Sequence, residues 1–499
     1  MGISIKGNIL MVNHLAKTKQ GVIWSFINQG GAQLLNLLIT FILARLVSPN
    51  EFGTIAMVTV FTGFAIRFVD FGFSAALIQK KKVYQQDINT VFFFNIISGI
   101  ILTAIFFFLS PLIAKFYDER ILNILTKVLS LIFIITAISG VNKALIAKNL
   151  DFKLSALVSL SSLILSSCLA IFLAYMGYGV WSILIKILSQ ELFTSILYYL
   201  FYPVKQKPIF HKGSFNSMFG MSRNVAGESI INYWSRNADN LLIGKMLNSS
   251  ALGVYSKAYA VMLLPLTNFS RVIAKVMFPS FSLIQDDIYQ IKRIYLNATK
   301  TIAFLTFPMM GGLAVVSREF VLTAFGNGWQ EMIPLVRILS MLGASQSILT
   351  LNGVIYNSLG KSHIAFWISL IFGILNVVGF YIGIEWEGLM GLVIIYTIIG
   401  VIGAIPNFYF AGRLIGVSII EMLKNLSNSF FLTISMMLIV YLCKIYLSNF
   451  SFKPLISLII LILIGGLTYF IPVVVFKTKE YELIKNLIKK ENFKTNKNN

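Results

Sequence analysis

Asn268, Arg271 and Lys275 lie within two helical turns of one another in a stretch that is otherwise largely apolar. At helical spacing they share one face, and two cations one turn apart repel unless an anion sits beside them. Such a strip suits a phosphate group, which charge-assisted hydrogen bonds hold well. The competing reading is pairing with Glu191 or Glu228 from another helix. Two other cations come with an acid one turn away, Arg67 with Asp70 and Arg236 with Asp239. Each pair can neutralise itself on a single helix face. Asp70, Asp239, Glu228 and Glu191 are also the candidate carriers of a coupling ion, and each reads equally well as a structural counter-ion.

A polar stripe accompanies these charges. Ser25, Gln29, Gln33, Asn36 and Thr40 recur on one face of an apolar helix, and Ser229, Tyr233, Arg236 and Asn240 occupy four equivalent places two hundred residues later. Facing lipid, such stripes would be costly, so they must face protein or water. They either line an aqueous cavity or hydrogen-bond between packed helices.

The elements that must position these residues are membrane spans. The chain of 499 residues is 57% hydrophobic and only 12% charged. Apolar stretches of about 20 residues, the length that crosses a bilayer, recur from residue 21 to 476. We expect an all-α polytopic membrane protein with fourteen transmembrane helices; the seventh is 218–243 and the eighth, overlong, is 252–283. Weakly alternating segments of about 10 residues, the mark of a membrane β-barrel, are absent. Lys and Arg number about 24 in alternate loops and about 7 in the others, which places the richer side and both termini in the cytoplasm. The first 19 residues are polar, and the apolar stretch after them continues without a small-residue cleavage pattern, so it is read as a retained first span.

The net charge of +22 is spread over these loops rather than gathered in one basic domain, which argues against nucleic acid as a partner. Within the expected spans, basic side chains outnumber acidic ones: Arg67, Lys127, Lys186, Arg223, Arg236, Lys257, Arg271, Lys275, Lys300 and Arg337 against the four acids above. Each basic residue at mid-span costs about 2.5–3.5 kcal/mol, so a polar cavity or a counter-ion must relieve it. His14, His211 and His363 all fall in loops. Cys168 and Cys443 have no metal or redox spacing. No nucleotide-binding, hydrolase or metalloprotease motif is present.

The chain repeats itself. Residues 43–55, LARLVSPNEFGTI, align at a constant offset of 200 with 243–255, IGKMLNSSALGVY, so that Gly53 matches Gly253. Both copies end an apolar helix in a cation and a polar turn, then open the next helix. Two spans separated by an even number of crossings run in the same direction, so the repeats are expected to relate by a pseudo-two-fold along the membrane normal. The expected organisation is a cytoplasmic N-terminus (1–20), an N-lobe of six spans (21–202), a linker (203–217), a C-lobe of six spans (218–412), two additional spans (413–476) and a basic tail (477–499).

These motifs carry a resemblance. The stretch Leu43-Ala44-Arg45-Leu46-Val47-Ser48-Pro49-Asn50-Glu51-Phe52-Gly53, the run Val69-Asp70-Phe71-Gly72-Phe73, and Ala238-Asp239-Asn240-Leu241-Leu242-Ile243-Gly244 leading into Leu252-Gly253-Val254-Tyr255 are similar to those of the polysaccharide-transporter flippases. The chain resembles the Wzx-type, colanic-acid-exporter-like branch of the multidrug/oligosaccharidyl-lipid/polysaccharide exporter superfamily. That resemblance implies two six-helix lobes around a central cavity and export of an undecaprenyl-diphosphate-linked oligosaccharide from the inner to the outer leaflet of the bacterial inner membrane. No catalytic residue, metal or cofactor is implied; a proton or sodium gradient is the candidate drive. Membrane lipids and the lipid-linked oligosaccharide are the expected partners, with a polysaccharide polymerase and chain-length machinery as further candidates. The alternatives are a peptidoglycan-precursor flippase and a drug/cation antiporter of the same superfamily. A membrane glycosyltransferase or polymerase needs larger outer loops than this chain offers.

Overall fold

The structure, a computed structural model, describes Trp24 and residues 28–475 apart from residue 451. The N-terminal segment 1–20, Ser25 and the tail 477–499 lie outside the described residues. The chain divides into two compact units, one up to Gly253 and one from Val254. Every regular element described in either is helical.

The first unit holds α1 (Asn28–Leu46), α2 (Pro49–Asp70), α3 (Phe73–Gln79), α4 (Gln85–Tyr117), α5 (Ile121–Leu129), α6 (Leu131–Lys148), α7 (Phe152–Tyr175), α8 (Val180–Phe201), α9 (Lys212–Met246) and the first turn of α10 (Ser249–Pro265). The helix α2 is its core, touching α4, α5, α6, α8 and α9. Its sequence dictates that place, because apolar residues surround it on nearly every side and only burial accommodates such a helix. Met57 and Val58 are fully buried, and Thr62 returns its hydroxyl to Val58 O at 3.1 Å. Ser48 starts α2 with a reciprocal cap: Glu51 Oε2 accepts from Ser48 N at 2.8 Å, and Ser48 Oγ accepts from Glu51 N. Pro49 follows at the first helical position, where a missing N–H does no harm.

The segment 203–211 holds no regular element. Side chains of α4 and α6 hold it: Gln85 Nε2 donates to Lys205 O at 2.5 Å, Asn89 Oδ1 accepts from Lys207 N at 3.1 Å, and Asn142 Nδ2 donates to Tyr202 O at 2.8 Å. The remainder of the expected linker, from Lys212, is already α9.

The second unit holds the rest of α10, α11 (Arg271–Leu283), α12 (Ile288–Val315), α13 (Ser317–Ala324), α14 (Met332–Ser358), α15 (Ser362–Ile402), α16 (Ala404–Ile415), α17 (Ile419–Ser448) and α18 (Pro454–Val475). Its centre is α14 with α12, around Phe281, Ile291, Tyr295, Ile302, Leu351 and Ile355. A buried polar chain crosses that core: Tyr295 Oη donates to Asn352 Oδ1 at 2.6 Å, Asn352 Nδ2 to Asn407 Oδ1 at 3.0 Å, and Tyr356 Oη to Asn407 O at 2.8 Å.

Among the described residues twelve stretches are long and apolar enough to cross a membrane, against the fourteen expected. Two places account for the difference. The stretch Ser362–Ile415 counts once although its 54 residues would extend about 80 Å, far beyond a bilayer core of about 30 Å. It is broken at Glu387 and Gly388, whose backbone leaves the helical region, Gly388 at φ 59°. The other is α9, long enough at 35 residues but too polar to be counted.

The overlong eighth span is a broken helix. Pro265 has no N–H for the preceding turn, and Leu266–Ser270 widens into a π-turn before α11 begins. Leu266 O accepts from Arg271 N, five residues on. Leu264 O, freed by the widening, accepts from Asn268 Nδ2 at 2.9 Å and from Thr267 Oγ1 at 3.1 Å.

Candidate functional site

The helix α1 shows two uncovered faces of opposite chemistry. Leu34, Leu38 and Ile42 are exposed at i, i+4, i+8. At about 100° per residue, Gln29, Gln33, Asn36 and Thr40 fall on the other side of the helix. Gln29 and Asn36 are exposed there, Gln33 and Thr40 are half-buried, and Thr40 Oγ1 donates to Asn36 O at 2.7 Å. Lipid accounts for the leucine face. It cannot account for the amide face, where every unpartnered donor or acceptor in hydrocarbon would cost several kcal/mol, on the order of a lost hydrogen bond or more.

The same reasoning applies more strongly to α9, which packs against α2, α3 and α4 and leaves Arg223, Asn224, Glu228 and Arg236 exposed. Its packed side includes Tyr233, whose hydroxyl donates to Val60 O at 2.6 Å and lies 3.2 Å from Thr59 O. Tyr233 therefore ties α9 to α2, the interhelical role open for it at the outset. Phe64 and Trp234 extend that contact with ring centroids 5.1 Å apart. Asp239 is buried, and its Oδ1 accepts from Asn240 N at 2.7 Å.

The pairing of Arg67 with Asp70 does not form among the described residues. Asp70 instead accepts from Ser74 Oγ at 2.6 Å and Ser74 N at 2.9 Å, closing the turn that joins α2 to α3. A carboxylate at a helix start satisfies amides that no intrahelical partner can reach, and this local geometry outcompetes the cation. Arg67 is left exposed. Glu191 is likewise engaged, accepting from Lys143 Nζ at 2.9 Å across α6 and α8. Glu228 is exposed on α9.

In the second unit Arg271 and Lys275 are both exposed on α11, directly after the π-turn that contains Asn268. The Asn268 amide serves the helix backbone at Leu264 O, which leaves its Oδ1 as the atom able to meet a ligand. The asparagine of the expected strip thus has a structural role in the π-turn.

Among the charges assigned to spans in the sequence, more basic than acidic side chains are exposed. Arg67, Arg223, Arg236, Arg271, Lys275 and Arg337 are exposed, whereas Glu228 is the one exposed acid of the four named above. Lys127 is half-buried with its ammonium over the Phe107 ring at 5.1 Å. No cluster of His, Cys, Asp and Glu able to hold a metal occurs among the described residues.

Sequence reasoning passed over several polar contacts. Lys143, in α6, pairs with Glu191. Asn352 and Tyr356 carry a signal that was available, since two hydrogen-bonding side chains one turn apart in an apolar helix need partners.

The chain is 26% identical to the teichuronic acid biosynthesis protein TuaB of Bacillus subtilis (strain 168), over 91% of this chain and 95% of that protein. It is 25% identical to the lipopolysaccharide biosynthesis protein WzxC of Escherichia coli (strain K12), over 87% and 89% respectively. Among solved structures, the lipid II flippase MurJ in an inward closed conformation superposes with a TM-score of 0.72 at 17% identity, covering 93% of this chain and all of that one. At that identity the match shows a shared fold. The model of the polysaccharide biosynthesis protein family matches residues 42–334, more than half of the chain and the region that holds both copies of the repeated turn. A helical multi-pass membrane protein, this chain belongs to the polysaccharide biosynthesis protein family.

Proposed function

We propose that this protein is a flippase for a lipid-linked oligosaccharide of the undecaprenyl-diphosphate type, moving polysaccharide repeat units from the inner to the outer leaflet by alternating access through a cationic cavity. It would sit in the bacterial inner membrane with both termini in the cytoplasm. One observation carries the reading: α1 exposes a polar face opposite a lipid-compatible one, while α9 and α11 expose Arg223, Arg236, Arg271 and Lys275 against the single acid Glu228. A wet, cationic path suits a diphosphate and hydroxyl-rich sugars, while the lipid tail stays in the bilayer. The lipopolysaccharide and teichuronic acid relatives support a saccharide cargo. A proton or sodium gradient would drive the cycle, with Asp70, Asp239, Glu228 and Glu191 as the carriers to examine. A polymerase that receives the flipped unit is the partner this role calls for.

A drug/cation antiporter is disfavoured by the sign of the exposed charge, since cationic cargo needs acids. A peptidoglycan-precursor flippase shares the fold and the cationic requirement. The deciding experiment places purified protein in liposomes with fluorescent lipid-linked oligosaccharide or fluorescent peptidoglycan precursor and follows the headgroup reaching the far leaflet. Movement of the oligosaccharide lipid is expected. Movement of the precursor alone would transfer the assignment, and movement of neither lipid would remove it.

A further inference from the structure

We infer that the two copies of the repeated turn form a latch that closes one end of the transport path, and that the latch must part during the cycle. The inference rests on the transport reading above. Gly53 is the fifth residue of α2 and Gly253 the fifth of α10. A Cβ on Gly53 would lie 1.6 Å from Ser249 O, and one on Gly253 would lie 1.9 Å from Pro49 O. Each glycine therefore makes room for the carbonyl of the first residue of the other helix. The contact is reciprocal and made by backbone, and both halves come from equivalent positions of the duplication. Any side chain at either place holds the two turns apart.

Beside this contact, next to the buried Phe52 and Leu252, lie polar groups that water can replace. Asn50 Oδ1 accepts from Ser249 Oγ, Ser249 Oγ lies 3.3 Å from Glu119 Oε1, and Lys245 Nζ donates to Phe116 O at 2.6 Å. Both helix starts are capped from within their own turns. Ser48 and Glu51 serve α2, while Asn248 Oδ1 accepts from Ala251 N at 2.8 Å in α10. These caps at Ser48, Glu51 and Asn248 can therefore persist when the turns part. A permanent junction in a membrane protein needs no such independence; a contact that opens and recloses does. By the charge rule this end faces outward.

The test begins from a protein in which Cys168 and Cys443 are replaced by Ala and Ser249, now 3% exposed, by Cys. A water-soluble maleimide is applied to permeabilised membranes, so both faces are reached. Slow labelling is expected, rising at least tenfold when Gly53→Ala or Gly253→Ala is added, with the melting temperature in detergent unchanged because alanine favours the helix itself. Unchanged labelling, or a rise that comes only with a lower melting temperature, would overturn the latch. In a second arm Asn50→Cys and Ser249→Cys are oxidised to a disulfide. Loss of surface polysaccharide that a reductant restores supports the latch; full export from the cross-linked protein overturns it. Labelling needs no substrate. If it rises as expected while the liposome assay shows no lipid movement, the latch stands and the proposed cargo falls.

Discussion

The helices α9 and α18 are both long enough to cross a bilayer and both leave one side uncovered, yet what they expose is opposite. The uncovered side of α18 shows Leu455, Ile459, Leu463, Leu467, Phe470 and Val474, while Leu458, Leu461, Tyr469 and Val473 pack inward. The uncovered residues of α9 include Arg223, Asn224, Glu228 and Arg236. Exposure therefore means two environments in one molecule. Hydrocarbon is the only solvent in which the first surface is cheap, and water the only one in which the second is.

That contrast can be broken most forcefully at α18. Leu463→Arg should cost about 2.5–3.5 kcal/mol and prevent the protein from accumulating in the membrane, whereas Asn224→Arg on α9 should leave its level unchanged. Quantitative immunoblotting of membrane fractions checks both, and equal loss in the two would erase the distinction. Next in size is reversal of the cationic strip. Arg271→Glu or Lys275→Glu should lower surface polysaccharide at least tenfold, about 1.4 kcal/mol, with the protein still inserted. Unchanged export would take the strip out of the mechanism. Tyr233→Phe removes the donor to Val60 O and should lower stability by about 1 kcal/mol, seen as a reduced melting temperature. Asp70→Asn should be the mildest, within about 0.5 kcal/mol, because an amide oxygen still accepts from Ser74. A fall in export in that variant would then report ion coupling rather than folding, and full export with the proton gradient collapsed would exclude Asp70 as the proton carrier.

Local pattern made much of this legible in the sequence. The stretch 455–476 is almost wholly apolar, which reads as a span, and the turn around Gly53 announces its copy around Gly253 by similar residue types at a fixed offset, the glycine itself being identical. The polar faces of α1 and α9 were visible as helical spacing. What escaped was whatever depends on competition or on distance through space. Asp70 has Arg67 one turn before it and Ser74 one turn after it; spacing alone does not rank them, and the amide of the next helix start decides. Glu191 meets Lys143 from 48 positions away on another helix. Pro265 was in plain view, yet its effect on register became apparent only as a π-turn that turns the Asn268 amide back onto Leu264 O. The reciprocal glycine contact was beyond reach for the same reason. A repeat says that two segments are alike, and says nothing of whether they touch.

A single helix offers the most direct test of the wet polar face. With Cys168 and Cys443 replaced, cysteines are placed one at a time at Asn36 and Gln29 on one side of α1 and at Leu34 and Leu38 on the other, with Asn36 within about 3 Å of the depth of both leucines. A membrane-impermeant, water-soluble maleimide should label the first two rapidly and the second two not at all. If all four resist the reagent alike, the polar face is dry, and no aqueous route for a sugar headgroup passes this helix.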